Sequence, residues 1–404
     1  MDTSSLTLGT FGNGCVGQGF LELLNANGGT SAQVKHVCVK DRTRVRDVGN
    51  ALLTYEALDI LGDDQVRAIV ELTNDPVLAL RVIVQALNTG RHAITASKRV
   101  VAENLAELIA LQRATGRSLL YEASCAASIP VLHTLETHFS GEEVVAIEGI
   151  LNGTTNYLLT KSGEEGLAPA EALKAAQLAG FAERDPSSDL SGDDSRYKLT
   201  ILLAHAFGTV VRPREILRHG IEGLQRIDLD HARSNGWTVR LLALARRTAS
   251  GISAYVLPAF VPPDDPFAFV RNEYNAVRIT GRNSGVHVLQ GKGAGKLPTG
   301  LAVLGDVQRL LREQGYTYGK VRPDAPELRN AGNTIEVYAR IPATHQEVLA
   351  RFHSVRPLDG DRDQVRVTGT IDLEELGWLL GEGRDGFQVI ALPHLRAANA
   401  NGGE

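Results

Sequence analysis

Residues 6–11 carry a short apolar run, the chain then turns through Gly12-Asn13-Gly14-Cys15-Val16-Gly17, and apolar residues resume at helical spacing over 19–24. This predicts a buried strand, a glycine turn and a helix. Residues 34–39 predict a second strand ending in Lys40-Asp41-Arg42, and residues 68–72 another ending in Thr73-Asn74-Asp75-Pro76. Pro76 suits the first turn of a helix that reaches about Leu87. Further strands are expected at 92–95 and 119–121, with a helix over 103–115 between them. Strands alternating with helices over about 130 residues predict an α/β class, a Rossmann doubly wound parallel sheet.

The pattern changes after Pro130. A strand over 144–151 runs into Asn152-Gly153-Thr154-Thr155-Asn156, helices are expected over 169–179 and 193–207 on either side of an acidic loop, and strands over 277–280 and 285–289. A second glycine loop, Gly291-Lys292-Gly293-Ala294-Gly295, precedes a helix over 301–314. From about Ile335, strands at 335–340, 365–370 and 388–392 alternate with helices at 345–352 and 373–380, with a polar turn at 359–363 and a frayed end at 397–404. The expected organisation is a dinucleotide-binding domain over 1–133, completed by about 300–325, a mixed α+β domain over 134–299, and a small C-terminal α/β tail over 330–404. Ile335, Val337, Val365, Val367, Val389 and Leu392 would give the tail a modest core, so it is expected to be a semi-independent unit docked on the main body. Every candidate site residue precedes residue 300, so a chain ending near Arg329 is expected to keep its chemistry and lose any regulatory response.

Composition narrows the partners. The 404 residues carry a formal net charge of -5, which leaves no cationic surplus for nucleic acid or anionic lipid. No apolar run approaches the roughly 18 residues that a membrane span needs, and residues 1–12 are too polar for a secretory segment, so a soluble cytoplasmic protein is expected. Three cysteines without C-x-x-C spacing fit a reducing compartment. The eleven histidines show no H-x-x-x-H spacing, and His345-Gln346-Glu347 lacks the P-C-x-x-C that would complete a zinc site, so transition-metal catalysis is not expected. Only nine of the 42 basic residues are lysines, which singles out Lys98 and Lys198.

Three segments can carry chemistry. In the first turn, Gly12 allows a tight bend, Gly14 lets the backbone approach a pyrophosphate, and Gly17 permits close packing of helix on sheet. Asp41 would suit the ribose of NAD, whereas Lys40, Arg42, Arg44 and Arg46 favour the 2′-phosphate of NADP, unless they form only a solvated basic loop. In the acidic segment, five carboxylates fall between Glu183 and Asp194, and Lys198 follows Asp194 at the i, i+4 spacing that puts both on one helix face. Two readings stand: a surface loop with Asp193 as helix cap and an ordinary ion pair, or a pocket in which Glu183 and Asp194 hold a substrate ammonium and Lys198 acts as acid/base. Cys125, in a loop rich in Ser and Ala, would serve a thiohemiacetal mechanism or be a small buried side chain, the commoner case.

Taken in order, Gly12-x-Gly-x-x-Gly17, Thr95-Ala-Ser-Lys98, Tyr121-Glu-Ala-Ser, Ile129-Pro130, Gly149-Ile-Leu-Asn-Gly-Thr-Thr-Asn156, Gly180-Phe-Ala-Glu183-x-Asp-Pro-x-x-Asp189-x-x-Gly-x-Asp194-x-x-x-Lys198 and Gly291-x-Gly-Ala-Gly295 resemble homoserine dehydrogenase. The resemblance runs through residues 6–310. It implies an NAD(P)-dependent homodimeric oxidoreductase that interconverts L-homoserine and L-aspartate 4-semialdehyde, on the route from aspartate to threonine, methionine and isoleucine. It implies Lys198 as acid/base and Lys98 beside nicotinamide and substrate. Glu183 and Asp194 would hold the amino end of homoserine, with Asp189 beside them and Gly153 and Thr154 near the carboxylate. Gly12, Asn13, Gly14, Cys15, Val16, Gly17, Thr73, Gly180, Glu183 and Gly293 would join Lys40, Arg42 and Lys98 around the cofactor. A monovalent cation, Na or K, would lie on main-chain oxygens near Glu122, Cys125, Ala127 and Ile129.

The chain departs from the family at Ser97, where Asn is usual, at Ala127-Ser128, where a Gly-Gly pair is usual, and at Lys296, where a smaller residue is usual. The rival readings are a semialdehyde dehydrogenase working through Cys125 and a nucleotide-sensing module without turnover. The paired lysines and carboxylates argue against the second.

Overall fold

A computed structural model describes residues 5–26, 31–178, 184–358, 363–381 and 386–393. The chain divides into two compact units. The first comprises Met1–Glu143, Thr200–Pro213 and Gly291–Ala325, the second Val144–Leu199, Arg214–Gln290 and Pro326–Glu404.

The first unit is built on six strands: β1 (Leu6–Phe11), β2 (Ala32–Cys38), β3 (Leu52–Thr54), β4 (Ala68–Glu71), β5 (His92–Thr95) and β6 (Leu119–Leu120). Their order is β3-β2-β1-β4-β5-β6 and every pairing is parallel, the doubly wound arrangement that the alternation of strands and helices predicts. β4 is buried at every position, as a strand covered on both faces must be. The short β3 escaped the hydrophobic pattern because two of its three residues are exposed.

The helix Cys15–Ala26 packs on the helix Lys296–Leu311 through Gly19 and Gly300. A Cβ at Gly19 would lie 2.1 Å from the carbonyl oxygen of Lys296, so no side chain fits. That contact brings the late segment back onto the first unit. Its interior also holds a polar cluster. The Tyr121 hydroxyl lies 2.9 Å from both His205 Nε2 and the Tyr318 hydroxyl, and His205 Nδ1 lies 2.7 Å from Glu136. Burial alone would raise the Glu136 carboxyl, but His205 and Thr317 hold it down to about 2.

The second unit is organised by one mixed sheet of ten strands: β7 (Val144–Ile150), β8 (Leu217–Arg218), β9 (Thr238–Thr248), β10 (Gly251–Val261), β11 (Tyr274–Gly281), β12 (Gly285–Lys292), β13 (Thr334–Pro342), β14 (Ser354–Pro357), β15 (Gln364–Asp372) and β16 (Gln388–Ala391). The order is β12-β11-β7-β9-β10-β16-β13-β15-β14, with β8 beside β10. The β9–β10 hairpin, paired over eleven residues, has no counterpart in the sequence reading. Leu241 to Arg247 are Leu, Ala and Arg, residues of high helix propensity. β9 is buried at seven consecutive positions, so no alternation marks it as a strand.

The tail's strands do not form a separate sheet. β16 pairs with β10 at Ala259↔Ala391 and with β13 along its length, so the tail's strands continue the second unit's sheet. One hydrophobic cluster holds Leu242, Leu257 and Phe267 together with Ile335, Val337, Val367 and Val389. The reason is size: about 70 residues bury too little apolar surface alone. A buried ion pair adds to the union. Arg340 Nε and Nη2 donate to Asp228 at 3.0 and 3.1 Å, and the Tyr338 hydroxyl donates to the same carboxylate at 2.8 Å.

The helix expected over 345–352 is a 3-10 stretch, Ala343–Arg351, broken at His345, whose φ is -126°. Of the turn expected at 359–363, residues 359–362 lie outside the described residues, as does the frayed end at 397–404. Among the described residues, no helix is long and apolar enough to cross a membrane.

Candidate active site

Within the second unit, β7 delivers Leu151 and Asn152 to the start of the helix Gly153–Glu164. Asn152 is its N-cap, with the side-chain oxygen accepting from the Thr155 N–H at 2.8 Å. A Cβ at Gly153 would meet the carbonyl of Glu273 at 2.8 Å, which explains the glycine. The sequence reading missed this helix because it opens on Gly-Thr-Thr, with poor helix formers in its first turn.

The helix Asp193–Phe207 supplies the facing groups. Lys198 is 7% exposed and Asp194 1%, and Lys198 Nζ donates to Asp194 Oδ2 at 2.8 Å and to the main-chain oxygen of Leu151 at 2.6 Å. Asn152 Nδ2 donates to Asp194 Oδ2 at 2.9 Å and to Asp189 Oδ1 at 2.7 Å. The i, i+4 pair is therefore a buried one, and the surface-loop reading of Asp194 and Lys198 is set aside. Asp193 instead binds Arg196 at 2.5 Å and Arg218 at 2.8 Å. Gly153 and Thr154 form the first turn of the capped helix, whose N-terminal dipole favours an anion. Gly180 and Glu183 lie outside the described residues.

In the first unit the glycine turn has the expected mechanics. Gly12 has φ +91°, and a Cβ there would lie 2.6 Å from the carbonyl oxygen of Leu72; one at Gly17 would lie 2.8 Å from that of Gly12. At Gly14 a Cβ would meet no protein atom within 4 Å, so the chain itself does not require that glycine. The open space there leaves room for a molecule brought against the turn. Asn13 is 4% exposed and its Oδ1 has no hydrogen-bond partner, while Cys15 and Val16 begin the following helix. An open cradle, an orphaned acceptor and a helix N-terminus fit a dinucleotide.

Glu71, at the end of β4, was not singled out from the sequence. It accepts from the Thr73 N–H at 2.6 Å and from the Thr95 hydroxyl at 2.6 Å, and Thr95 Oγ1 accepts in turn from the Ser97 N–H. It thus ties together the loops that carry Thr73 and Lys98. Burial pushes its carboxyl up against the lowering effect of Thr95 and Thr73. A carboxylate ending a buried strand was the available signal. Lys98 opens the helix Lys98–Glu103 and is half-buried.

In the basic loop, Arg42 pairs with Glu56 at 3.0 Å and covers the Tyr55 ring, Lys40 is exposed, and Thr43 donates to Asp41, which holds that carboxyl below its ordinary value. Lys296 pairs with Glu22 at 2.6 Å, which occupies the larger side chain at that departure. Gly293 sits between Lys292, whose carbonyl accepts from the Ser128 N–H and hydroxyl, and the helix that follows.

The loop over 125–129 holds Ala126 and Ala127 at φ +61° and +43°, left-handed positions where glycine would be relaxed; of the two, only Ala127 falls at the departure noted in the sequence. The Glu122 carboxylate accepts from the Leu132 and His133 N–H groups, so its side chain is committed to capping a helix. Burial raises that carboxyl to about 7. What Glu122, Cys125, Ala127 and Ile129 offer is main-chain oxygen, a donor set that suits a hard cation of low charge. Among the described residues, no group of three or more His, Cys, Asp or Glu side chains could hold a metal ion. Cys125 is fully buried, which gives a thiol mechanism no accessible nucleophile.

A parallel sheet with such a turn after its first strand belongs to dinucleotide enzymes, and a buried lysine nitrogen held by one carboxylate is placed to move protons. The class defined is a pyridine-nucleotide-dependent oxidoreductase. Comparison with known proteins carries this further. The family model described as homoserine dehydrogenase, NAD binding domain, matches residues 12–122, and that described as homoserine dehydrogenase matches residues 130–308. The chain is 33% identical to the homoserine dehydrogenase of Bacillus subtilis over 317 residues, covering 76% of this chain and 73% of that protein. It is 32% identical to that of Corynebacterium glutamicum over 394 residues, covering 94% and 84%. A solved homoserine dehydrogenase from Thiobacillus denitrificans superposes with a TM-score of 0.83 at 28% identity, covering 96% of this chain and 98% of that one. The chain belongs to the homoserine dehydrogenase family and is an NAD(P)-dependent oxidoreductase.

Proposed function

We propose that Lys198 is the acid/base of this homoserine dehydrogenase, taking the hydroxyl proton of L-homoserine as L-aspartate 4-semialdehyde forms and returning it in the reverse direction. The observation that carries the reading is the burial of Lys198 between Asp194 and the Leu151 carbonyl, which aims one nitrogen and leaves it little freedom. Asp194 with Glu183 receives the substrate's ammonium, Asp189 stands beside them, and Gly153 and Thr154 take its carboxylate at the helix N-terminus. Lys98 offsets negative charge developing on the substrate oxygen.

When bound, the nicotinamide supplies the hydride acceptor or donor. Gly12, Asn13, Gly14, Cys15, Val16 and Gly17 hold its pyrophosphate, with Thr73, Lys98, Gly180, Glu183 and Gly293 around the rest. The lysine and arginines of the basic loop support NADP, with NAD served by Asp41 as the alternative. Main-chain oxygens near Glu122, Cys125, Ala127 and Ile129 hold Na or K. Residues 1–133, completed by about 300–325, form the dinucleotide domain, 134–299 the catalytic and dimerising one, and the working state is a cytoplasmic homodimer.

The test is initial rates with homoserine and each oxidised cofactor, followed by reduced-nicotinamide absorbance, for wild type and Lys198→Met. The variant should lose about 100- to 10,000-fold in kcat with cofactor affinity nearly unchanged. More than half the wild-type rate would remove Lys198 from the chemistry.

A further inference from the structure

We propose that Asn152 is the positioning residue of this site, holding Asp189, Asp194 and, through Asp194, Lys198 in one geometry; the inference rests on the roles given above to Asp194 and Lys198.

Both side-chain ends of Asn152 are committed. Its Nδ2 has two N–H donors, one for Asp189 Oδ1 at 2.7 Å and one for Asp194 Oδ2 at 2.9 Å, while Oδ1 caps the helix Gly153–Glu164 by accepting from Thr155. The residue is 5% exposed, so water does not replace these bonds freely. Asp194 Oδ2 therefore takes two donors, Asn152 Nδ2 and Lys198 Nζ. The neighbouring peptide completes the frame, because the Leu151 carbonyl is the second acceptor for Lys198. One short turn between β7 and its helix thus touches the acid/base and both nearby carboxylates.

The chemistry explains the amide. Two carboxylate oxygens within hydrogen-bond reach of one nitrogen lie less than about 6 Å apart, where like charges repel. A neutral double donor between them offsets that repulsion without adding a charge that would compete with Lys198 or the substrate ammonium. Aspartate and serine cap a helix about as well as asparagine. Neither can bridge two carboxylates: serine has one short donor, and ionised aspartate has none and adds a third negative charge.

Capping and bridging therefore predict opposite orders, which two variants separate. If Asn152 bridges, Asn152→Ser should keep its thermal midpoint and cofactor KM close to wild type. It should lose about ten- to a hundredfold in kcat/KM for homoserine, shared between a higher KM and a lower kcat. Asn152→Asp should lose at least about tenfold more than Ser, though it caps equally well. If Asn152 is only a cap, Asp should match or exceed Ser. Activity of Asn152→Asp at or above that of Asn152→Ser overturns the proposal, as does a loss in Asn152→Ser matched by a fallen thermal midpoint and an equally raised cofactor KM. Lys198→Met measured in parallel keeps the two readings apart: retained activity there fails the acid/base role, whereas an inactive Lys198→Met beside a fully active Asn152→Asp fails only the bridge.

Discussion

Replacing Arg340 by Met should unfold the second unit at a markedly lower temperature, although Arg340 lies far along the chain from every proposed site residue. The side chain is 1% exposed and sits on an Asp228 carboxylate that is fully buried, with further donation from Nη2 to the Gly223 carbonyl at 2.5 Å. Methionine keeps most of the volume and removes the charge and the donors. Asp228 would retain the Tyr338 hydroxyl and the Gln225 N–H, which bond it without neutralising it. Breaking a buried pair from one side costs about 3–5 kcal/mol. At roughly 2–4 °C per kcal/mol for a unit of this size, the midpoint should fall by about 6–20 °C.

The measurement is calorimetry or thermal circular dichroism, with Arg340→Met/Asp228→Leu as the companion. Removing both partners should recover most of the loss, since an apolar pair of similar volume is often neutral against a buried ion pair. The same reasoning reverses the expectation for the tail. A chain ending at Arg329 loses Arg340, the β16 partner of β10 and the tail's share of a common core, so it should be insoluble or inactive. A single variant melting within about 2 °C of wild type, or a soluble 1–329 chain with full turnover, would refute this account of how the tail is held.

Three further outcomes follow from local geometry. Arg42→Ala should raise the KM for NADP and leave that for NAD almost unchanged; a wild-type preference for NAD would make the basic loop a solvated one and Asp41 the ribose residue. Burial holds His219 down at about 4, so the unfolded chain takes up its proton first. The stability this group affects is complete above its ordinary value near 6.5 and falls as pH drops towards 4, by at most about 3 kcal/mol. Urea midpoints from pH 7 to 4.5 should show the decline and lose part of it in His219→Gln; parallel curves would contradict the assignment. Ala127→Gly should relax a left-handed residue and raise the urea midpoint by about 1 kcal/mol of stability, and a lower midpoint would mean the methyl packs well enough to outweigh the strain.

The features legible in the sequence are those governed by forces that act over a few residues. Gly12 must bend where no other side chain can, and Asp194 and Lys198 meet because four residues make about one helical turn, so both signals survive in a one-dimensional string. Strands such as β4 and β5 were legible because a short apolar run bounded by turn residues is itself a local signal.

What waited for the tertiary structure was the identity of distant partners. Asn152 reads as a cap in an Asn-Gly-Thr turn, but nothing local says that its amide reaches Asp189 and Asp194, 37 and 42 residues on. β9 was hidden because seven consecutive buried positions leave no alternation and its Leu, Ala and Arg residues favour a helix. Glu71 shows its role only once β4 and β5 lie side by side. The tail carries enough periodicity to predict strands, yet whether they close on themselves or on β10 depends on which arrangement buries more apolar surface and neutralises Asp228. Such pairings depend on the folded chain's long-range geometry, because hydrogen bonds and ion pairs are decided by distances in space, and sequence separation constrains those distances only over a turn or two.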